Sequence, residues 1–407
     1  MLPEVTSASS QEKIMRLREW KHRRRAGRTV VAALASAAAL LTLVPATGAA
    51  ATDSHDGGGR ATTYAVYGDS PYGADHLQYD ATPAFIGTIN ADPQVSGVIH
   101  VGDLHSGSEP CTLAYDQGIA DMWKSFQDPV YYTPGDNEWA DCQKAKQQPA
   151  LAYQGGDPIA NLALVRQLFF PQAGLTLGQH KKLVLSQAFA YDRRFPTDKQ
   201  YVENAIWADS GVVFVNVNLP GGSNNDHDPW YGLAETAAQH DEYTNRSAAD
   251  LRWLDAAFGI AKFAHAKGVV VMEQADMWDT EKNVASVLTN YQPFVAKIAD
   301  QTRSFGGTVL LINGDTHTYR SDDPLVDNAP CVSEIPARCA PDHDAFDLQS
   351  LPGFAGLGAA KFHRIVVHGS TSPMEWLKLS IDPSQNAPES DSAVGPFSWS
   401  RQIQALP

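Results

Sequence analysis

The chain has 407 residues, with 31 Lys and Arg set against 46 Asp and Glu, for a net charge of −15. Eight of the basic and three of the acidic residues fall within residues 1–51, so the remainder carries close to −20. A surface that acidic repels nucleic acid and anionic lipid and attracts divalent cations, which excludes a nucleic-acid-binding role built on a basic face.

Residues 21–28 (KHRRRAGR) form a basic run and residues 30–44 (VVAALASAAALLTLV) an apolar one, followed by the small-residue stretch PATGAAAT. That layout is a secretory signal over residues 1–51, with an apolar run short for a membrane span of about 20 residues. Left uncleaved, the same segment would be an anchor. The expected localisation is secreted, periplasmic or otherwise extracytoplasmic. No later apolar stretch is long enough to span a membrane.

An apolar run closed by Gly-Asp then recurs: TYAVYGD ends at Asp69, VIHVGD at Asp103, VYYTPGD at Asp136 and VLLINGD at Asp315. Short continuous apolar runs bounded by a turn read as strands buried on both faces. Ligands of open sheets bind outside the carboxyl ends of such strands. Four carboxylates on one rim repel one another unless a cation sits among them. Asp69, Asp103, Asp136 and Asp315 are therefore candidate metal ligands.

In chain order, the pattern predicts strand 61–69, helix 81–91, strand 95–103, helix 115–126 and strand 129–135, a βαβαβ start with parallel pairing. Residues 140–200 read as an insertion with one helix at 158–170. Residues 205–219 read as a hairpin turning at Asp209-Ser210-Gly211. A long amphipathic helix follows at 243–266, with Leu251, Leu254, Phe258, Ala261 and Phe263 on one face behind Thr244 and Asn245 as caps. Strand 268–276, helix 290–303 and strand 307–315 come next. FHRIVVHGS and EWLKLSID close the domain as two alternating strands of an antiparallel sheet edge. Residues 61–382 are expected to form one α/β domain of two packed sheets flanked by helices, and 383–407 a polar tail.

The four cysteines suit an oxidising compartment. Cys111 lies eight residues past Asp103 and Cys142 six past Asp136, so neighbouring strands would bring them to the same rim. The expected disulfides are Cys111–Cys142 and Cys331–Cys339.

In this order GDSPYG, VGDLHSG, PGDNEW, VMEQAD and NGDTH resemble the motifs of the calcineurin-like metallophosphoesterases, over about residues 61–382. PGDNEW-x-DC and NGDTH-x-YR are similar to a divergent secreted branch of that family. The resemblance implies an αββα sandwich of two mixed sheets and a two-metal centre hydrolysing phosphate mono- or diesters. Carried over by motif, Asp69 and Asp103 are metal ligands, with Asp103 bridging both ions, and His317 completes the first site. Asp136, Gln274 and Asp315 fall where the second site's ligands belong, although Asn137 is an alternative ligand to Asp136.

Several positions depart from the family pattern. Pro71 stands where a first-motif His is usual, and Asn137 where the catalytic His is usual. Gln274 and Asp315 also replace histidines. A donor set this rich in oxygen suits Mn, Mg, Fe or Ca better than Zn. An amide does not titrate near neutrality, so His105 is the nearest substitute by sequence, as acid or extra ligand, unless it is an inert loop residue. Catalytic candidates are thus Asn137, His105 and His317. Candidates for gripping substrate are Asn137, the loop residues Asn224, Asn225 and His227, and Arg320, which could instead pair with Asp322 or Asp323. The expected partner is a phosphorylated small molecule or an exposed phosphoester, with no nucleic acid bound at the surface. The alternative is a catalytically degenerate fold that binds a ligand or a cation.

Overall fold

The computed structural model describes residues 60–73, 77–225, 229–232, 234–279, 288–326, 329–339, 356–371 and 373–404. The expected signal segment lies outside them. The first half runs β1 (Thr62–Tyr67), α1 (Leu77–Asn90), β2 (Val95–His100), α2 (Leu113–Trp123), β3 (Val130–Tyr132), α3 (Pro158–Phe169) and β4 (Leu185–Ser186). The second half continues with β5 (Ala205–Asp209), β6 (Val212–Asn216), α4 (Ala237–Phe263), β7 (Gly268–Met272), α5 (Gln292–Phe305) and β8 (Thr308–Asn313). It ends with β9 (Arg320–Asp322), β10 (Val332–Ser333), β11 (Phe362–Val366), β12 (Met374–Ile381), β13 (Ala387–Ser390), β14 (Ala393–Gly395) and β15 (Phe397–Gln404).

The strands make two mixed sheets, ordered β13-β14-β15-β12-β1-β2-β3 and β10-β9-β11-β8-β7-β6-β5-β4. Strands β1, β2 and β3 are parallel, as are β6, β7, β8 and β11, while β12, β9 and β5 run antiparallel to their neighbours. The side-chain period of two explains why both faces of β1 are apolar. Tyr64 and Val66 enter the core between the sheets with Phe214, Met272 and Ile312. Ala65 and Tyr67 face the other way, onto Phe85, Ile119 and Trp123. Within the expected insertion, helix α3 puts Val165 and Phe169 into that second core. Among the described residues, no helix is long and apolar enough to cross a membrane.

The ends of the chain differ from expectation. FHRIVV and EWLKLSID do not share a sheet edge: β11 lies between β9 and β8 in the second sheet, and β12 lies beside β1 in the first. Both are buried on two faces, as central strands are. Met374 and Trp376 face the helices, while Leu377, Leu379 and Ile381 enter the inter-sheet core. The expected polar tail instead extends the first sheet, because β15 pairs along the whole length of β12. Helix α4 starts earlier, at Ala237, since Thr236 accepts a hydrogen bond from Gln239 N and caps it. Its buried face carries Trp253, Leu254, Ala257, Phe258 and Ala261, so Phe263 is left exposed and Leu251 half-buried.

Both disulfides form. Cys111–Cys142 joins the loops after β2 and β3, and Cys331–Cys339 closes a local loop.

Candidate metal centre

The recurring Gly-Asp has a steric cause. A Cβ on Gly314 would lie 2.2 Å from Asp69 Oδ2, and one on Gly135 would lie 2.0 Å from Asp103 Oδ1. Each glycine is small because a carboxylate of another motif passes over it. The backbone also turns sharply: Asp69, Asp103 and Asp315 have φ of 47°, 60° and 74°, the left-handed region that few non-glycine residues adopt. Such conformations persist where surrounding contacts over-determine them, as at ligand sites.

These turns gather side chains from both sheets. Asp69 and Asp103 are buried, and His317 is half-buried; one ligand atom from each lies within 4.8 Å of the others. His317 Nε2 is 3.6 Å from Asp69 Oδ1, which accepts from Asp315 N at 2.9 Å. Asp69 Oδ2 is buried, with no hydrogen-bond partner among the described residues. Burial, then the neighbouring Asp315, pushes the Asp69 carboxyl well above the usual range, and burial followed by Asp136 does the same to Asp103. An orphaned carboxylate oxygen among repelling carboxylates and an imidazole is the donor set of a hard divalent cation. The first site therefore fits a metal ion.

Asp136 and Asp315 also reach the centre, because a Cβ on Gly221 would meet Asp315 Oδ1 at 2.7 Å and Asp136 Oδ2 at 2.9 Å. Gln274 is placed there too, with its amide between two of the carboxylates. Its Nε2 donates to Asp103 Oδ2 at 3.2 Å and to Asp136 Oδ1 at 3.1 Å. Asn137 donates to Asp103 Oδ2 from its side chain at 2.8 Å and to Oδ1 from its backbone at 3.2 Å.

Tyr72 was missed in the sequence although it ends the GDSPY motif. Its hydroxyl lies 3.3 Å from Asp103 Oδ2, 3.0 Å from His317 Nε2 and 3.2 Å from Asn137 Nδ2. Glu138 was missed as well. Its Oε1 accepts from Tyr132 OH and Gly135 N, both at 2.6 Å, and so holds the turn that presents Asp136. Two lysines flank the mouth. A Cβ on Gly107 would come within 2.6 Å of Asn137 Oδ1 and 3.1 Å of Lys146 Nζ, so the missing side chain lets that ammonium lie beside the Asn137 amide. Lys144 pairs with Asp141 at 2.7 Å in a shallow cleft that Gly221, Gly222 and Asn225 also line. Burial, then Asp136, pushes the Asp141 carboxyl up to about 6.

Other expected site residues have different partners. His105 is buried edge-on to Tyr115, and its Nδ1 bonds the Ser106 carbonyl rather than a carboxylate. Burial lowers its pKa to about 4, so it is neutral at pH 7. Asn224 is fully buried, bonded to Arg246 and Ser247, and Asn225 spends its amide on Glu242 and Trp230. Arg320 pairs with Asp322 at 2.6 Å. Each of these side chains has a partner within the fold. His227 lies outside the described residues. A second cluster, Glu334, His368 and Glu375, is bridged by the Arg401 guanidinium, which bonds both carboxylates.

The loop carrying Asp315 and His317 is braced from below. Asp276 N donates to Asp315 Oδ2, and Thr316 Oγ1 donates to Asp276 Oδ2. The fully buried Arg364 grips Asp276 at 2.5 Å and Asp322 at 2.8 Å.

Two mixed sheets flanked by helices, with acidic turns from successive strands meeting at one rim, define a metallophosphoesterase-like sandwich. The chain belongs to the calcineurin-like phosphoesterase family, whose sequence model matches residues 49–259. No curated protein matches it. Among solved structures it is similar to GAP50, the anchor in the inner membrane complex of Plasmodium, at 9% identity over 84% of each chain with a TM-score of 0.43. It is also similar to the purple acid phosphatase PPD1 from yellow lupin (Lupinus luteus) seeds, at 10% identity over 80% of this chain and 50% of that one, with a TM-score of 0.38.

Proposed function

We propose that the chain is an extracytoplasmic, metal-dependent phosphoesterase acting on phosphate mono- or diesters. One observation carries the reading: Asp69, Asp103 and His317 bring one ligand atom each within 4.8 Å of one another, two of them buried carboxylates. A divalent cation bound there supplies Lewis-acid polarisation of a phosphoryl oxygen and an activated water. Mn, Mg, Fe or Ca suits the oxygen-rich donors. Beside it, Lys146 offers an ammonium to the substrate's remaining oxygens, while both amide hydrogens of Asn137 go to Asp103 and Tyr72. The Tyr72 hydroxyl lies 3.0 Å from His317 Nε2. The two disulfides support a place outside the cytoplasm.

A second reading, a ligand-binding protein without turnover, is favoured by Asn137, which cannot donate a proton to a leaving group near neutrality. Hydrolysis of p-nitrophenyl phosphate and bis-p-nitrophenyl phosphate, measured in Mn and in chelator, separates the two. The enzyme reading expects Mn-dependent release from at least one ester and none from Asp69→Asn. Protein that binds Mn and hydrolyses neither ester supports the second reading.

A further inference from the structure

The family pattern leads to an expectation of two cations, and the second donor set does not fit one. Gln274 Nε2 sits between Asp103 Oδ2 and Asp136 Oδ1, at 3.2 and 3.1 Å. A divalent ion held by those two oxygens at about 2.0–2.6 Å would need the space this nitrogen fills. The amide cannot simply turn over to offer its oxygen. Gln274 Oε1 accepts from Gly221 N, so a flip would set the amide N–H against the backbone N–H and the oxygen against two carboxylates. Nor can the side chain easily withdraw, because it is packed against Gly102: a Cβ there would meet Gln274 Cγ at 2.7 Å and Cβ at 2.8 Å.

The Asp103 carboxylate shows the same substitution. Its Oδ2 accepts from Gln274, Asn137 and Tyr72, three neutral donors that converge on the oxygen expected to bridge two ions. We propose that the centre takes a single divalent cation, on Asp69, Asp103 and His317, and that the Gln274 amide stands in for the second ion by cross-linking Asp103 to Asp136. This rests on the metal reading above. It goes further in assigning one half of the centre to hydrogen bonding and only the other to metal.

The test uses the full chain, stripped with chelator, loaded with Mn²⁺ and desalted. Metal analysis should find one Mn per chain, and electron paramagnetic resonance should give the six-line spectrum of an isolated ion. Asp69→Asn should lose the ion, whereas Asp136→Asn should keep it. Gln274→His, or Gln274→Asp if the imidazole is not accommodated, should raise the count to two and produce an exchange-coupled spectrum. Two ions in the wild type would overturn this inference and leave the metal reading standing. No ion in the wild type would overturn both. An ion lost from Asp136→Asn but kept by Asp69→Asn would place the metal in the wrong half and also overturn it. A count that stays at one in both folded Gln274 variants would show that the amide is not what excludes the second ion.

Discussion

The two halves of the centre share Asp103 and are built on opposite principles. In the half formed with Asp69 and His317, a carboxylate oxygen is left buried with no partner among the described residues, and the proposed cation supplies the balancing charge. In the half formed with Asp136, the chain supplies its own neutral donor, and Gln274 joins the carboxylates without adding charge. If the single-cation proposal holds, the contrast teaches that a motif can keep its place in the fold while its chemistry changes from metal coordination to hydrogen bonding. The rim stays acidic in both halves, but on the single-cation proposal only the first takes an ion.

The change that breaks this comparison most severely is Asp103→Asn, because Asp103 belongs to both halves. Loss of Lewis-acid stabilisation worth several kcal/mol should lower kcat/KM by about a thousandfold or more. The variant should also lose the rise in Tm that Mn gives the wild type, while melting near the wild type in chelator. Equal destabilisation in both conditions would make Asp103 a turn residue only.

Arg364→Ala strikes the brace under the loop that carries Asp315 and His317. It strands Asp276 as a buried carboxylate without its cation and leaves Asp322 to Arg320 alone. Removing one partner of a buried ion pair typically costs about 3–5 kcal/mol, which urea denaturation would read. A loss below about 1 kcal/mol would mean those carboxylates find other partners.

A pH titration sharpens the contrast from the other side, through His100 beneath the metal-taking half. His100 is fully buried, its Nε2 is 2.8 Å from the Ser70 carbonyl, and burial lowers its pKa from 6.5 to about 4. The unfolded chain binds that proton below pH 6.5 while the folded chain refuses it until about 4. Stability contributed by the neutral ring is thus present above 6.5 and is lost as pH falls through that window. The loss is on the order of 3 kcal/mol, and His100→Gln should flatten this part of the curve. An unchanged slope in that variant would assign the acid sensitivity to other groups.

The smallest expected effect is at the mouth. Lys146→Ala removes an exposed charge beside Asn137, worth roughly 0.5–1 kcal/mol. KM for a phosphomonoester should rise about two- to fivefold with kcat little changed, and the difference should vanish in 1 M salt. An effect confined to kcat would place Lys146 at the reacting atoms instead.

Much of the fold was legible because burial on both faces writes a continuous apolar run, as in β1, β2 and β8. The Cys111–Cys142 bridge was legible because two neighbouring strands end at one rim. The tail was not, since β13 to β15 are mostly half-exposed and polar, and only their pairing with β12 makes them strands. At the centre, the four aspartates could be read from the turns that carry them. Tyr72, the donor role of Gln274 and the commitment of Asn224 and Asn225 to Arg246, Glu242 and Trp230 depend on partners distant in the chain, which no local pattern encodes.

The central claim is where the metal sits, and anomalous diffraction at the Mn edge from Mn-loaded crystals tests it most directly. The account predicts one peak per chain, between Asp69, Asp103 and His317, with the Gln274 side chain still lying between Asp103 and Asp136. A peak between Asp103, Asp136 and Asp315, or no peak in the centre at all, would contradict it.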